Sequence, residues 1–377
     1  MNLDFTEEQE MLRTSARDFL TTECPKTLVR ELEESEKGYS PELWKKMAEL
    51  GWMGLVIPDK YDGMGMQFMD LAVLLEEMGR NILPGPFFST VVLGALPILS
   101  AGSEEQKKEI LPKIAGGKAI LTMALTEPSA TYEASGVHTK AVARGNSFIL
   151  NGTKLFVENA HIADYIICVT RTKDGASPEE GITLFLVDAK SPGIKCAVIP
   201  TIALDKQCEV VFENVSVPKK NMLGELDKGW PLVARTLEQA TMAKCAEMIG
   251  GAQAALDMTV AYAKERVQYG RPIGAFQAIQ FYLSDMWMKV TMSKNITYEA
   301  VWMVSEGLPC TEKVAIAKGW VNDAYKFVTE RGVQVHGAIG TTRDHDMGLY
   351  YRRAWAADQT FGNTDFQREV VARQMGL

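Results

Sequence analysis

Ser147-Phe-Ile-Leu-Asn-Gly-Thr-Lys-Leu-Phe-Val157 places Asn151-Gly152 between two runs of aliphatic, aromatic and β-branched residues. Asn-Gly in that setting predicts a β-hairpin, because both residues enter positive φ at low steric cost. Working outward, residues 165–170, 182–187, 195–199 and 209–212 are further short β-type runs, each bounded by turn-rich sequence. About six strands in so short a span predict a small antiparallel β-barrel or sandwich.

Both flanks read as helix. Toward the N-terminus, Thr6-Glu-Glu-Gln9 is a capping box, after which Met11, Leu12, Ala16, Phe19 and Leu20 share one helical face. Ser40-Pro41 supplies an N-cap and a first-turn proline for a helix that stops at Gly51. Residues 69–78 read as an apolar helix ending at Gly79, and Ser103-Glu-Glu-Gln106 is a second capping box. After Trp230, residues 237–265, 285–306 and 314–334 show long helical patterns joined by short connections, which predicts a C-terminal four-helix bundle. The expected fold is α+β and mostly α. Residues 1–120 form an N-terminal helical domain, 121–222 the β-barrel and 223–377 the bundle.

Composition narrows the function. A net charge of −8 with no basic run argues against a nucleic-acid surface. No apolar run is long enough to span a bilayer, and the N-terminus lacks a basic-then-apolar leader, so a cytoplasmic protein is expected. Six scattered cysteines and four dispersed histidines lack metal-ligand spacing, so no metal is expected.

Four motifs carry chemistry. Leu125-Thr-Glu-Pro128 and Leu150-Asn-Gly-Thr-Lys-Leu-Phe156 lie in the β-rich segment. Arg266-Val-Gln-Tyr-Gly-Arg-Pro-Ile-Gly-Ala-Phe-Gln277 sits on a long helical pattern with a Gly-Arg-Pro break, and Gln334-Val-His-Gly-Ala-Ile-Gly340 follows. Collinear over most of the chain, they resemble the acyl-CoA dehydrogenase family, flavoenzymes that oxidise acyl-CoA thioesters and hand electrons to electron-transferring flavoprotein. The resemblance implies FAD, held along one ring edge by the strand-end loop containing Met123, Leu125 and Thr126. Phe156 would lie against the ring. Glu158 stands where the family has Ser or Thr near flavin N5, and it is either an unusual acid there or an exposed hairpin residue. Arg266 suits the pyrophosphate because guanidinium binds it bidentately. Gln334, Gly337 and Ala338 match the segment where backbone approaches the phosphates, Asn363 is a further flavin contact, and Tyr132 and Ala240 are substrate contacts. The resemblance also places Arg266, Tyr269 and Gln277 at the flavin of a neighbouring subunit, hence a homotetramer or a heteromeric assembly with a second family member. Lys154 and Arg353 are either phosphate contacts or solvated charges.

One element of the family pattern is absent. Acyl-CoA oxidation needs a carboxylate to take the α-proton. The family's two positions for it map onto Phe361 or Gly362, within Phe361-Gly-Asn-Thr364, and onto Ala240. Three acids could substitute. Glu247, seven residues beyond Ala240 and on the same helical face, is the first choice, although a structural acid paired with Lys or Arg reads equally well there. Glu158 and Glu238 follow. The leading expectation is FAD-dependent dehydrogenation of an atypical acyl-CoA. The alternatives are a base-deficient subunit that completes a partner's flavin site, and a flavoprotein that reacts with oxygen or reduces an enoyl-CoA.

Overall fold

The computed structural model describes residues 5–377. The chain opens with α1 (Glu7–Glu23), α2 (Lys26–Glu34), α3 (Pro41–Glu49), α4 (Phe68–Asn81), α5 (Phe87–Thr90), α6 (Leu96–Ala101) and α7 (Glu104–Ala115). The strands follow as β1 (Leu121–Ala124), β2 (Lys140–Arg144), β3 (Ser147–Glu158), β4 (Tyr165–Arg171), β5 (Ile182–Asp188), β6 (Ile194–Ile199), β7 (Gln207–Pro218) and β8 (Met222–Leu223). Then come α8 (Trp230–Glu265), the short strands β9 (Val267–Gln268) and β10 (Arg271–Pro272), and α9 (Gln277–Ser305), α10 (Thr311–His336), α11 (Met347–Gln359) and α12 (Thr364–Gln374). They divide into two compact units. One holds the chain up to Glu31 with Phe68–Leu83 and Thr241–Leu377, and the other holds Leu32–Gln67 and Pro84–Ala240.

In the sheet unit the strand order is β6-β7-β3-β2-β4-β5-β8, with β1 beside β4. The sheet is open, not the closed antiparallel barrel expected from sequence. It forks at β4, where β1 runs parallel along Tyr165 to Cys168 and β2 touches only through Lys140 and Arg171. The expected hairpin at Asn151-Gly152 is absent too. β3 continues straight through it, and the turn falls earlier, at Gly145-Asn146, with Arg144 paired to Ser147. Gly145 takes φ 62 and so satisfies the turn. Asn151-Gly152 instead forms a bulge against β7, where the Asn151 side-chain oxygen accepts from the Asn214 amide at 2.8 Å. A Cβ on Gly152 would strike the side chain and Cα of Thr139, so close packing is what this glycine permits.

The helical unit obeys the sequence signals at its N-terminus. Thr6 and Gln9 form the capping box of α1, and α9 to α12 pack as a bundle through α10. Met11 departs from the expected buried face, since it is exposed. The α4 boundary was also misjudged. This helix runs through Gly79 to Asn81, because Gly79 is a packing position rather than a stop. A Cβ there would collide with the backbone carbonyl of Glu247, and one on Gly250 would collide with that of Glu76. Two glycines thus let α4 and α8 cross backbone against backbone. Glu76, at that crossing, accepts from Tyr298 Oη at 2.6 Å and pairs with Lys294 at 2.8 Å.

Alanine normally stabilises a helix interior by about 1 kcal/mol relative to glycine. At this crossing the backbone cannot yield. Gly79→Ala should therefore lower stability by about 2 kcal/mol or more, the scale of an overpacked core. Chemical denaturation measures this, and an unchanged or higher midpoint would contradict the crossing.

Candidate functional site

The strand-end loop after β1 is anchored from below by a buried ion pair. Lys154 on β3 is fully buried, and its Nζ lies 2.7 Å from Glu127 Oε1. The same ammonium donates to the Leu125 carbonyl at 3.0 Å, and the Leu155 amide donates to the Thr126 carbonyl at 2.8 Å. Glu127 also accepts from the His138 and Thr139 amides at 3.0 and 2.9 Å. Burial alone would raise its carboxyl, but the Lys154 charge and hydrogen bond, with those of Thr139, hold it below the ordinary value. Lys154 is therefore no phosphate contact and no solvated charge. Its role is to fix the backbone at Leu125 and Thr126. Glu127 and Lys154 sit in two of the quoted motifs, but only strand register shows that they meet.

Beyond Lys154 the β3–β7 register slips again, between Lys154 and Val157. Phe156 falls in that bulge at φ 56 and is 46% exposed. Left-handed backbone on an aromatic residue costs on the order of 1–3 kcal/mol and persists where the surroundings enforce it. Here the bulge turns an aromatic face outward beside the anchored loop. Glu158 returns to the ladder opposite Gln207 and is partly buried. Met123, Leu125 and Thr126 are buried, so the loop can offer mainly its backbone. Tyr132 is half-buried in the long turn after Pro128.

In the helical unit residues 266–276 interrupt the α-helical run between α8 and α9. α8 ends at Glu265, and the chain makes a two-residue hairpin, Gln268 pairing with Arg271. Tyr269 and Gly270 take φ 50 and φ 75, the positive pair that a type I′ turn requires. Arg266 stays at the base, its carbonyl accepting from Ile273 at 2.8 Å, and Arg271 stacks 4.3 Å from the Phe276 ring. Arg266, Tyr269 and Gln277 are all exposed, Tyr269 at 93%. Gln334 lies exposed near the end of α10, and Gly337, at φ 66, caps that helix ahead of an exposed Ala338. His336 beside them is buried, its ring stacked on Tyr262, and burial lowers its pKa.

The turn between α11 and α12 is closely held. The Lys318 ammonium hydrogen-bonds Asn322 Oδ1 and the Ala357 carbonyl, so it satisfies the end of α11. Burial pushes Lys318 down to about 8. The Phe361 carbonyl accepts from Gln367 at 2.8 Å, and that of Gly362 from Asn322 at 3.3 Å. Phe361 takes φ 59 and is buried, so the turn presents an apolar ring where an acid was sought. The Asn363 oxygen caps α12 by accepting from Phe366 at 3.0 Å. On α8, Ala240 is fully buried and Glu238 partly buried. Glu247 is partly buried, with Lys244 Nζ 2.6 Å from its Oε2. The Lys-paired acid foreseen as an alternative is thus present, and pairing alone does not decide its role. Sequence reading missed Lys318, Asn322 and Gln367, since no local pattern marks three polar residues that converge on one turn.

Each unit by itself carries groups of the kind that a flat aromatic cofactor with an anionic tail needs. A fixed backbone edge and an outward aromatic lie together in the sheet unit, while a cationic and amide-bearing hairpin projects from the helical unit. Comparison with known proteins shows the family. Residues 6–118, 122–215 and 227–376 match the N-terminal, middle and C-terminal domains of acyl-CoA dehydrogenase. The probable acyl-CoA dehydrogenase YngJ of Bacillus subtilis is 33% identical over 384 residues, with both chains covered in full. The caffeyl-CoA reductase-Etf complex subunit CarC of Acetobacterium woodii is 33% identical, with 98% of each chain covered. Butyryl-CoA dehydrogenase from Megasphaera elsdenii superposes with a TM-score of 0.92 at 31% identity, covering all of both chains.

Lys154→Met strands the Glu127 charge and should cost about 3–5 kcal/mol, the usual result of breaking a buried pair from one side. The double variant Lys154→Met, Glu127→Gln should recover much of that loss in denaturant titrations. Because the folded-state pKa of Glu127 is depressed, its contribution is present above the unfolded value near 4.5 and disappears as pH falls through the folded value. The stability gap between wild type and Glu127→Gln should close in acid. A gap that widens below about pH 4.5 would contradict the assignment.

Proposed function

Because the chain belongs to the acyl-CoA dehydrogenase family, we propose that it is an FAD-dependent enzyme that removes hydrogen from Cα and Cβ of an atypical acyl-CoA thioester and passes the electrons to electron-transferring flavoprotein. The observation that carries this is the outward Phe156 beside the anchored Leu125–Thr126 backbone. FAD, when bound, supplies the two-electron acceptor. Thr126 and its neighbouring amides orient one edge, and Phe156 shields a face from water. Arg266 and Gln277 neutralise and hydrogen-bond the diphosphate from a neighbouring copy, with Gln334, Gly337 and Ala338 alongside. An exposed stripe on α9, Phe281, Met288 and Met292 with Trp287 beside it, supports such assembly, as a homotetramer or with a second family member. We retain three modules, 1–120, 121–222 and 223–377, as the working division. No helix among the described residues is long and apolar enough to cross a membrane, and we place the protein in the cytoplasm.

We assign removal of the α-proton to the Glu247 carboxylate, with Lys244 on Oε2. Tyr132 and Ala240 are assigned to the acyl-CoA side. A second reading rests on Phe361 and Gly362, which put no acid at the turn before α12. On that reading the chain is a base-deficient subunit completing the flavin site of an acid-bearing partner. The relative named as a caffeyl-CoA reductase subunit adds the reverse direction, reduction of an enoyl-CoA, to the reactions worth assaying.

Anaerobic titration of the purified flavoprotein with a panel of saturated and unsaturated acyl-CoA esters separates these readings. Bleaching by a saturated ester supports dehydrogenation, and reoxidation of reduced flavin by enoyl-CoA alone supports reduction. Silence across the panel supports the base-deficient subunit. Arg266→Ala should weaken flavin binding about 10- to 100-fold, as loss of a charged hydrogen bond of roughly 1.5–3 kcal/mol would. Full flavin content in that variant would remove Arg266 from the site. Glu247→Gln should keep flavin and slow substrate-dependent bleaching by about two orders of magnitude or more. Retained bleaching would eliminate Glu247 as the base.

A further inference from the structure

The cysteines are not equivalent. Cys208 is fully buried on β7, and its Sγ lies 3.8 Å from His161 Nδ1. The opposite ring nitrogen, Nε2, lies 3.1 Å from the Glu36 carbonyl oxygen and 3.2 Å from that of Lys37. Carbonyl oxygens only accept, so Nε2 carries a proton and the neutral ring offers the Nδ1 lone pair to the thiol. Cys196 on β6 is exposed and lies across the ladder from the Cys208 segment. Strand register sets this placement. Cys196 faces Val210 and Cys208 faces Val198, so the two sulfurs lie on one diagonal of the same sheet face.

The cluster behaves unlike the remaining thiols. Burial pushes Cys24 up to about 11 and both Cys168 and Cys245 up to about 12. Cys208 moves the other way, below the ordinary thiol range, through its interactions with Cys196 and His161 and against the effect of burial. Its neighbour Cys196 moves upward, because its interaction with the Cys208 sulfur and then its burial both favour the protonated thiol. Charged side chains nearby are turned elsewhere. Lys195 pairs with Glu213 at 2.9 Å, and Glu209, opposite Ala197, occupies the other face of the sheet. Lys206 donates to the Glu33 carbonyl at 3.0 Å, while Glu36 and Lys37 meet the histidine through their backbone. Among the described residues no group of three or more His, Cys, Asp or Glu is placed to hold a metal ion.

We propose that Cys196 and Cys208 form a reversible dithiol–disulfide site, with His161 as its base, that is oxidised by small peroxides. His161 Nδ1 first takes the Cys208 proton, and the exposed Cys196 sulfur meets the oxidant and passes its own proton to the Cys208 thiolate. The Cys196 thiolate attacks the peroxide, the S–O bond forms as O–O breaks, and Cys196 becomes a sulfenic acid while the departing hydroxide takes the proton held by His161 and becomes water. His161 Nδ1 then takes the Cys208 proton. The Cys208 thiolate attacks the Cys196 sulfur, S–S forms as S–O breaks, and His161 returns the proton to the departing hydroxide. Two thiols are oxidised by two electrons and one hydrogen peroxide is reduced to two waters. Diagonal cross-strand Cα atoms lie about 7–8 Å apart, and a disulfide needs roughly 4.4–6.8 Å, so β6 must move inward. As an edge strand bonded to β7 alone, it is free to do so.

The site lies wholly within the sheet unit and does not depend on the proposed dehydrogenation. Native protein is exposed to dilute hydrogen peroxide, quenched by alkylation, and analysed by free-thiol count and peptide mapping. Two of six thiols should disappear, peptides containing Cys196 and Cys208 should be linked, and dithiothreitol should restore both. Cys208→Ser should stop at a sulfenic acid on Cys196, trapped by dimedone. His161→Phe should keep the folded circular dichroism spectrum while moving the pH midpoint of Cys208 alkylation upward by at least one unit, toward that of an ordinary thiol near 8.5. An unmoved midpoint would overturn the role of His161. Retention of all six thiols, linkage through other cysteines, or the same thiol loss in Cys208→Ser would overturn the site.

Discussion

The contact between Lys154 and Glu127 is the constraint on which the sheet unit's functional edge depends. An ammonium and a carboxylate out of water are costly unless every lone pair and proton finds a partner. Here Lys154 reaches Glu127 and the Leu125 carbonyl, and Glu127 also takes the His138 and Thr139 amides. A hydrophobic pair of the same volume would pack as well. It would not dictate where the backbone at residues 125 and 126 lies. The pair therefore contributes positioning more than stability.

Strand β3 carries several consequences of that anchoring. Its first bulge, at Asn151-Gly152, lets the strand pass Thr139 closely. The second, just past Lys154, turns Phe156 outward, and immediately beyond it Val157 pairs with Cys208. The aromatic face and the thiol cluster are thus neighbours along one ladder, so movement of β6 and β7 bears on the strand that presents Phe156.

The helical unit shows a different economy of contacts. At the α4–α8 crossing, Gly79 and Gly250 remove side chains so that backbones meet. At the α11–α12 turn, Lys318, Asn322 and Gln367 bind carbonyls that an apolar surrounding would leave unpaired. The turn is closely held although it carries Phe361 and Gly362 in place of an acid.

Local signals that rest on a few adjacent residues were legible in the sequence. The two capping boxes, the Ser40-Pro41 helix start and the β-type runs of most strands depend on chemistry within a turn or a short segment. So did the order helix, sheet, helix. What depended on long-range partners was decided by the tertiary structure alone. Asn151-Gly152 has the chemistry of a hairpin, but β7 lies alongside to pair with both of its halves, so it became a bulge. Gly79 resembles a helix stop and is a crossing point because α8 occupies its face. Tyr269-Gly270 lay inside an apparent helical run, yet positive φ at both residues made it a hairpin. Lys154 read as either a phosphate contact or a solvated charge and is the most buried charge of the sheet unit, since burial is set by partners distant in sequence.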